Sequence, residues 1–216
     1  MPAIHLVRHG QASFGAADYD ELSELGERQA QVAAEELQRR GVRSPIFVSG
    51  SLKRQRATAL ILAARCGVDS PAPAVDARWN EFDAHDLVEE RLGGPGSAVG
   101  ITSAAFQVEL DPALHAWMTG SDTGWEEFRS GVWAALRDIA AQVPKGSDAV
   151  VATSAGITAI VCGQILGLDP AGIIALNRVS INASITTILA GARGLSLLSF
   201  NDHAHLIGTT GLITNR

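Results

Sequence analysis

Three short apolar runs constrain this chain more than any other feature: "AIHLV" at 3–7, "PIFVS" at 45–49 and "DAVVAT" at 148–153. Each has the length of a buried strand and is too short for a core helix. Helical signatures separate them. Ser23 has the character of an N-cap, with Glu24 and Glu27 in the first turn, where acidic side chains oppose the positive end of the helix dipole. Ala30, Ala33, Ala34 and Leu37 then fall on one face, and Gly41 marks the stop. After the second run, Ser51 reads as the cap of a helix that carries Ala59, Leu62, Ala63 and Cys66 on one side and ends at Gly67. The third run leads directly into an apolar helix at 155–166. Strand alternating with helix is the rhythm of a mainly parallel sheet covered on both faces.

That rhythm breaks at 78–147, where helices at about 102–119 and 123–143 and a "GGPGS" loop at 93–97 read as a helical insertion. The loop follows no strand and precedes no Lys-Ser/Thr, so it is not a P-loop. At the C-terminal end "SITTILA" and "LSLLSF" flank Gly191 and Gly194, the pattern of a β-hairpin. The expected architecture is therefore a three-layer α/β sandwich, one domain over 1–216 with its insertion. A chain of 216 residues can bury a core of that size.

Charge narrows the function. The net charge is −6 and no lysine-rich run occurs, which argues against nucleic acid and membrane partners. No signal peptide or spanning segment is visible, and the expected compartment is the cytoplasm. The sequon Asn182-Ala183-Ser184 would matter only in a secreted protein. Cys66 and Cys162 lie in apolar helical patterns without metal spacing and read as free buried thiols. Any anionic ligand must then be held by a local cluster of cations.

Such a cluster is visible at the strand ends. In a sheet of this kind ligands bind where the strands finish. The first strand ends in Arg8-His9-Gly10, the second in Ser49-Gly50-Ser51 with Arg54 close behind, the later one in Thr153-Ser154-Ala155-Gly156 at a helix start. Guanidinium forks match phosphoryl oxygens two at a time, and helix N-termini add free N–H groups. Two nearby arginines depress a histidine's pKa, which leaves His9 neutral with a lone pair free to attack phosphorus.

Beyond these single positions, "LVRHGQAS…LSELGERQA", "SGSLKRQRATA", "WNEFD", "VVATSAGITAI" and "FNDHAHL" follow one another in order along almost the whole chain. Together they resemble the histidine phosphatase superfamily, also called phosphoglycerate mutase-like. The resemblance implies that His9 becomes phosphohistidine, that Arg8 and Arg54 clamp phosphate with help from Gln11, and that Glu81 gives a proton to the leaving oxygen. Trp79 and Phe82 beside Glu81 would raise its pKa by desolvation, which suits an acid. Asp83 is the alternative donor.

Two positions depart from the family pattern. Ser154 stands where the second histidine is usual and supplies a hydroxyl without charge, and Gly15 stands where mutase-type members have asparagine. His5, His85, His115, His203 and His205 are the other imidazoles that could serve; Asp202-His203-Ala204-His205 and "FDAHD" lack a third ligand at metal spacing. The expected function is phosphomonoester hydrolysis without metal or organic cofactor, on a phosphorylated small molecule or a phosphoprotein. A pseudophosphatase that binds phosphorylated ligands without turnover is the alternative, and a mutase-type phosphotransferase the third. A homodimer is left open.

Overall fold

The first apolar run forms β1 (Ala3–Arg8), whose alternate side chains go to opposite faces as the two-residue period of a strand requires. This is a computed structural model, and it describes residues 1–13, 20–66, 72–121, 123–208 and 210–215. Ser23 caps α1 (Glu24–Arg39), its hydroxyl accepting from Gly26 N–H, and the chain leaves through Gly41 at φ 71°. β2 (Ile46–Ser49) and α2 (Lys53–Cys66) follow. Ser51 does not cap α2: the helix begins two residues later, and Asn80 holds Ser51 through both its N–H and its hydroxyl. Gly67, expected to stop α2, and Gly15 lie outside the described residues.

β3 (Ala74–Val75) and a 3-10 turn (Ala77–Trp79) lead into the insertion, which holds α3 (Ala84–Leu92), α4 (Ser103–Thr119) and α5 (Gly124–Gln142). The sequence reading had two of these helices and lacked α3. The chain returns to the sheet as β4 (Ala149–Thr153), then α6 (Ala155–Leu166) and α7 (Pro170–Val179). β5 (Ile185–Gly191) and β6 (Gly194–Asp202) form the expected hairpin.

The sheet order is β3-β2-β4-β1-β5-β6, with β3, β2, β4 and β1 parallel and the hairpin antiparallel. Each face has its own core. Val7, Phe47, Val150 and Ala152 meet Ala33, Leu37, Ala59 and Leu62 of α1 and α2. Ile4, Leu6, Val48 and Val151 meet the other helices, with Ile157 and Ile160 of α6, Leu114 of α4 and Leu136 of α5. Burying both faces is what the continuous apolar runs require. Cys162 is buried and Cys66 half-buried, and both are free thiols. Among the described residues no helix is long and apolar enough to cross a membrane.

Candidate active site

Register brings the strand ends together. Arg8 of β1 pairs with Thr153 of β4, and the His9 N–H donates to Thr153 O at 2.8 Å, so His9 and Ser154 emerge side by side. Gly10 turns the chain where nothing larger fits: a Cβ there would meet Gly26 O of α1 at 2.2 Å. The Gly10 N–H then donates to Thr58 Oγ1 of α2 at 3.2 Å. Behind the turn, Asn182 Nδ2 donates to His9 O, and the Gln11 N–H to Gln29 Oε1. Gln29 and Asn182 both bond Thr214, so the C-terminal segment is stitched into the support of this turn. Asn182 is fully buried with its amide bonded to His9 O, a position closed to a glycan.

The His9 ring is 6% exposed. Its Nδ1–H donates to Gly10 O at 2.7 Å, which leaves Nε2 unprotonated, and Nε2 accepts from Arg54 Nε–H at 3.2 Å. Burial pushes its pKa well below the ordinary histidine value, and the charges of Arg8 and Arg54 push it the same way. Arg54 is held in turn by Asp20, whose carboxylate takes its guanidinium at 2.5 Å. Arg8 donates to Ser180 O at 2.5 Å.

Glu81 reaches the same place from the insertion. Its Oε2 accepts from the Gly156 N–H at the start of α6 at 3.1 Å. Oε1 is buried without a partner. Desolvation raises its pKa above the ordinary carboxylate range, against the opposing pull of the Gly156 bond and of Arg8 and Arg54. Gly156 is needed for this approach, because a Cβ there would lie 2.4 Å from Oε1. Asp83, the other candidate acid, is exposed and caps α3 by accepting from the His85 and Asp86 N–H groups. Phe82 anchors Glu81 in an aromatic cluster, its ring 5.8 Å from Trp117 and 6.3 Å from Phe128.

Ser154 is fully buried at the N-terminus of α6 and makes no cap bond; its Oγ is bonded by Gln55 Nε2 at 2.8 Å. The structure thus gathers Arg54, His9, Glu81 and Ser154 at one sheet edge, with Arg8 at the end of the same strand. Gln11 stands apart, with its Oε1 accepting from the Ser23 hydroxyl. The other histidines are occupied elsewhere. His5 bonds Thr187, His85 stacks 4.8 Å from Phe106, and His203 and His205 bond the carbonyls of Asn201 and Ala183 separately. His115 is exposed on α4. Gln55, Thr58, Asp20 and Asn182 were not singled out as site residues in the sequence. The spacing of Thr58 four residues after Arg54, on the same helix face, is the one local signal among them.

Comparison with known proteins places the family and the fold. Residues 4–203 match the model of the histidine phosphatase superfamily (branch 1). A mycobacterial glucosyl-3-phosphoglycerate phosphatase in complex with VO3 is 25% identical, with a TM-score of 0.66, covering 94% of this chain and 100% of that one. A mycobacterial hydrolase is 26% identical, with a TM-score of 0.67, over 94% of this chain and 99% of its own. A phosphoserine phosphatase from Entamoeba histolytica, in complex with 3-phosphoglyceric acid, is 21% identical with a TM-score of 0.67, over 96% and 100%, and shares the fold. No curated protein sequence matches.

Proposed function

We propose that this chain, which belongs to the histidine phosphatase superfamily, hydrolyses phosphomonoesters through a phosphohistidine formed on His9. The observation that carries the reading is the ring itself: neutral, its Nδ1–H committed to Gly10 O, its Nε2 lone pair beside Arg54. An entering phosphoryl group takes over the donors of Arg54 and Arg8. His9 Nε2 then attacks phosphorus as the bond to the leaving oxygen breaks. Glu81, whose pKa burial raises, gives its proton to that oxygen. In the second half the Glu81 carboxylate takes a proton from water, the water oxygen attacks phosphorus, and the P–N bond breaks to release phosphate and neutral His9.

The names of the similar structures support a small acidic phosphomonoester as substrate in preference to a phosphoprotein. The pseudophosphatase reading keeps one supporting observation: Ser154 brings no positive charge to the phosphoryl group. Turnover of p-nitrophenyl phosphate with trapping of acid-labile, base-stable phosphate on His9 tests the proposal. Wild type should label and His9→Ala should do neither. Turnover that survives in His9→Ala would overturn the covalent mechanism, and vanadate binding without turnover would favour the pseudophosphatase.

A further inference from the structure

A serine alone does not dictate which way its hydroxyl hydrogen points, but the neighbour of Ser154 does. Gln55, fully buried and next in sequence to Arg54, donates from its amide nitrogen to Trp79 O at 3.0 Å and to Ser154 Oγ at 2.8 Å. A carbonyl only accepts, so Trp79 O fixes which end of the amide is nitrogen. Ser154 Oγ is therefore the acceptor in the second bond, and its own hydrogen points away from Gln55. Among the described residues that hydrogen has no other partner. Ser154 follows Thr153, to whose carbonyl the His9 N–H is bonded, so the hydroxyl stands at the strand end next to the His9 turn.

We propose that Gln55 is a positioning residue that holds Ser154 as a hydrogen-bond donor to the phosphoryl group, so that the Gln55–Ser154 pair does the work of a second imidazole. The assignment rests on the phosphatase reading above. The bond to Trp79 O is a structural tie, but it comes at a cost. Gln55 Oε1 is buried without a partner, a cost that an apolar residue of the same length would not incur. Size points the same way. In the serine rotamer, Cγ of a histidine at 154 would take the place of Oγ, 2.8 Å from Gln55 Nε2. That is well inside a contact distance of ~3.5 Å, and the ring would extend further. In that rotamer a large residue at 154 requires a smaller one at 55.

The test is a double-mutant cycle on p-nitrophenyl phosphate with Gln55→Met, Ser154→Ala and the pair. Each single change should lower kcat about 100-fold with KM moving less than about threefold, and the double should be no slower than the singles. Full speed in Gln55→Met, or losses that multiply in the double, would overturn the assignment. Should Gln55→Met fail to fold, the size exchange decides. Ser154→His alone should lose vanadate binding, and adding Gln55→Ala should restore it; no restoration overturns the proposal. Wild type that neither turns over nor binds vanadate would overturn the phosphatase reading, and this assignment with it.

Discussion

Two turns lie side by side at the sheet edge, and they are built differently. Arg8-His9-Gly10 leaves β1 and Thr153-Ser154-Ala155-Gly156 leaves β4, with Arg8 and Thr153 in register. Both use glycine to admit something that a Cβ would exclude. At Gly10 the thing admitted is backbone: Gly26 of α1 approaches so closely that a Cβ would lie 2.2 Å from its carbonyl oxygen. At Gly156 it is two side chains, Phe82 and Glu81. The β1 turn is thus braced by main chain and by Thr58, Gln29 and Asn182, while the β4 turn is finished by side chains from the insertion. On the proposed mechanism the nucleophile belongs to the turn held by main chain, and the acid reaches the other turn from the insertion.

Alanine at each glycine should break the two turns in different ways. In Gly10→Ala neither partner can retreat without moving β1 or α1. Destabilisation of at least about 3 kcal/mol is expected, read as a lower urea midpoint with little change in slope. In Gly156→Ala the atoms met are Phe82 Cε1 at 2.2 Å and Glu81 Oε1 at 2.4 Å: side-chain atoms, of which the Glu81 carboxylate can turn away while the Phe82 ring must shift within its aromatic cluster. That variant should fold, keep vanadate affinity, and lose about 100-fold in kcat because the acid is displaced. Equal losses of stability in the two variants would erase the contrast.

The pH profile sharpens the same contrast. On the proposed mechanism His9 must be neutral, and its lowered pKa places the acid limb of kcat/KM below the ordinary histidine range. On the same mechanism Glu81 must be protonated, so kcat/KM falls as pH rises through its raised pKa. Glu81→Gln should cost about 10²–10⁴ in kcat and abolish the basic limb while leaving the acid limb in place. A basic limb that survives in Glu81→Gln would assign the proton to another group.

The main-chain half of the site was far more legible in the sequence than the side-chain half. Parallel-sheet geometry gathers strand ends whatever their sequences, so Arg8, His9 and Ser154 could be placed together from three apolar runs. Glu81 was reached through the family resemblance and its aromatic neighbours; what favours it over Asp83 is the capping of α3 by Asp83, a contact visible only in the fold. Gln55 carried no local signal, since its role is set by Trp79 and Ser154, which are 24 and 99 positions away. Asn182 was read as part of a sequon because burial is invisible in a tripeptide. Helix α3 was missed because it is short and buries only Val88, and β3 because its two residues are exposed. Helix α7 did carry a signal, an Asp169 cap with Pro170 in the first turn, which went unread beside the longer apolar run before it.

The smallest expected effect concerns His5, inside β1, and it separates stability from the chemistry proposed just beyond the end of that strand. His5 is buried against Thr187, with Nδ1 3.2 Å from the hydroxyl. Burial lowers its pKa to about 4, with Arg40 adding repulsion and Asp148 opposing. In the unfolded chain it titrates near 6.5, so between about pH 6.5 and pH 4 the unfolded state binds the extra proton. The stabilisation is complete above that window and is lost as pH falls through it, by up to about 3 kcal/mol. His9, also lowered, contributes with the same sign. His5→Gln keeps a partner for Thr187 and removes the titration. Urea unfolding at pH 7 and pH 4.5 should show wild type losing about 2–3 kcal/mol more than the variant, while kcat at pH 7 stays the same. Parallel losses in the two proteins would mean that Asp148 holds the folded His5 protonated, and the remaining acid sensitivity would then belong to the catalytic end of the strand.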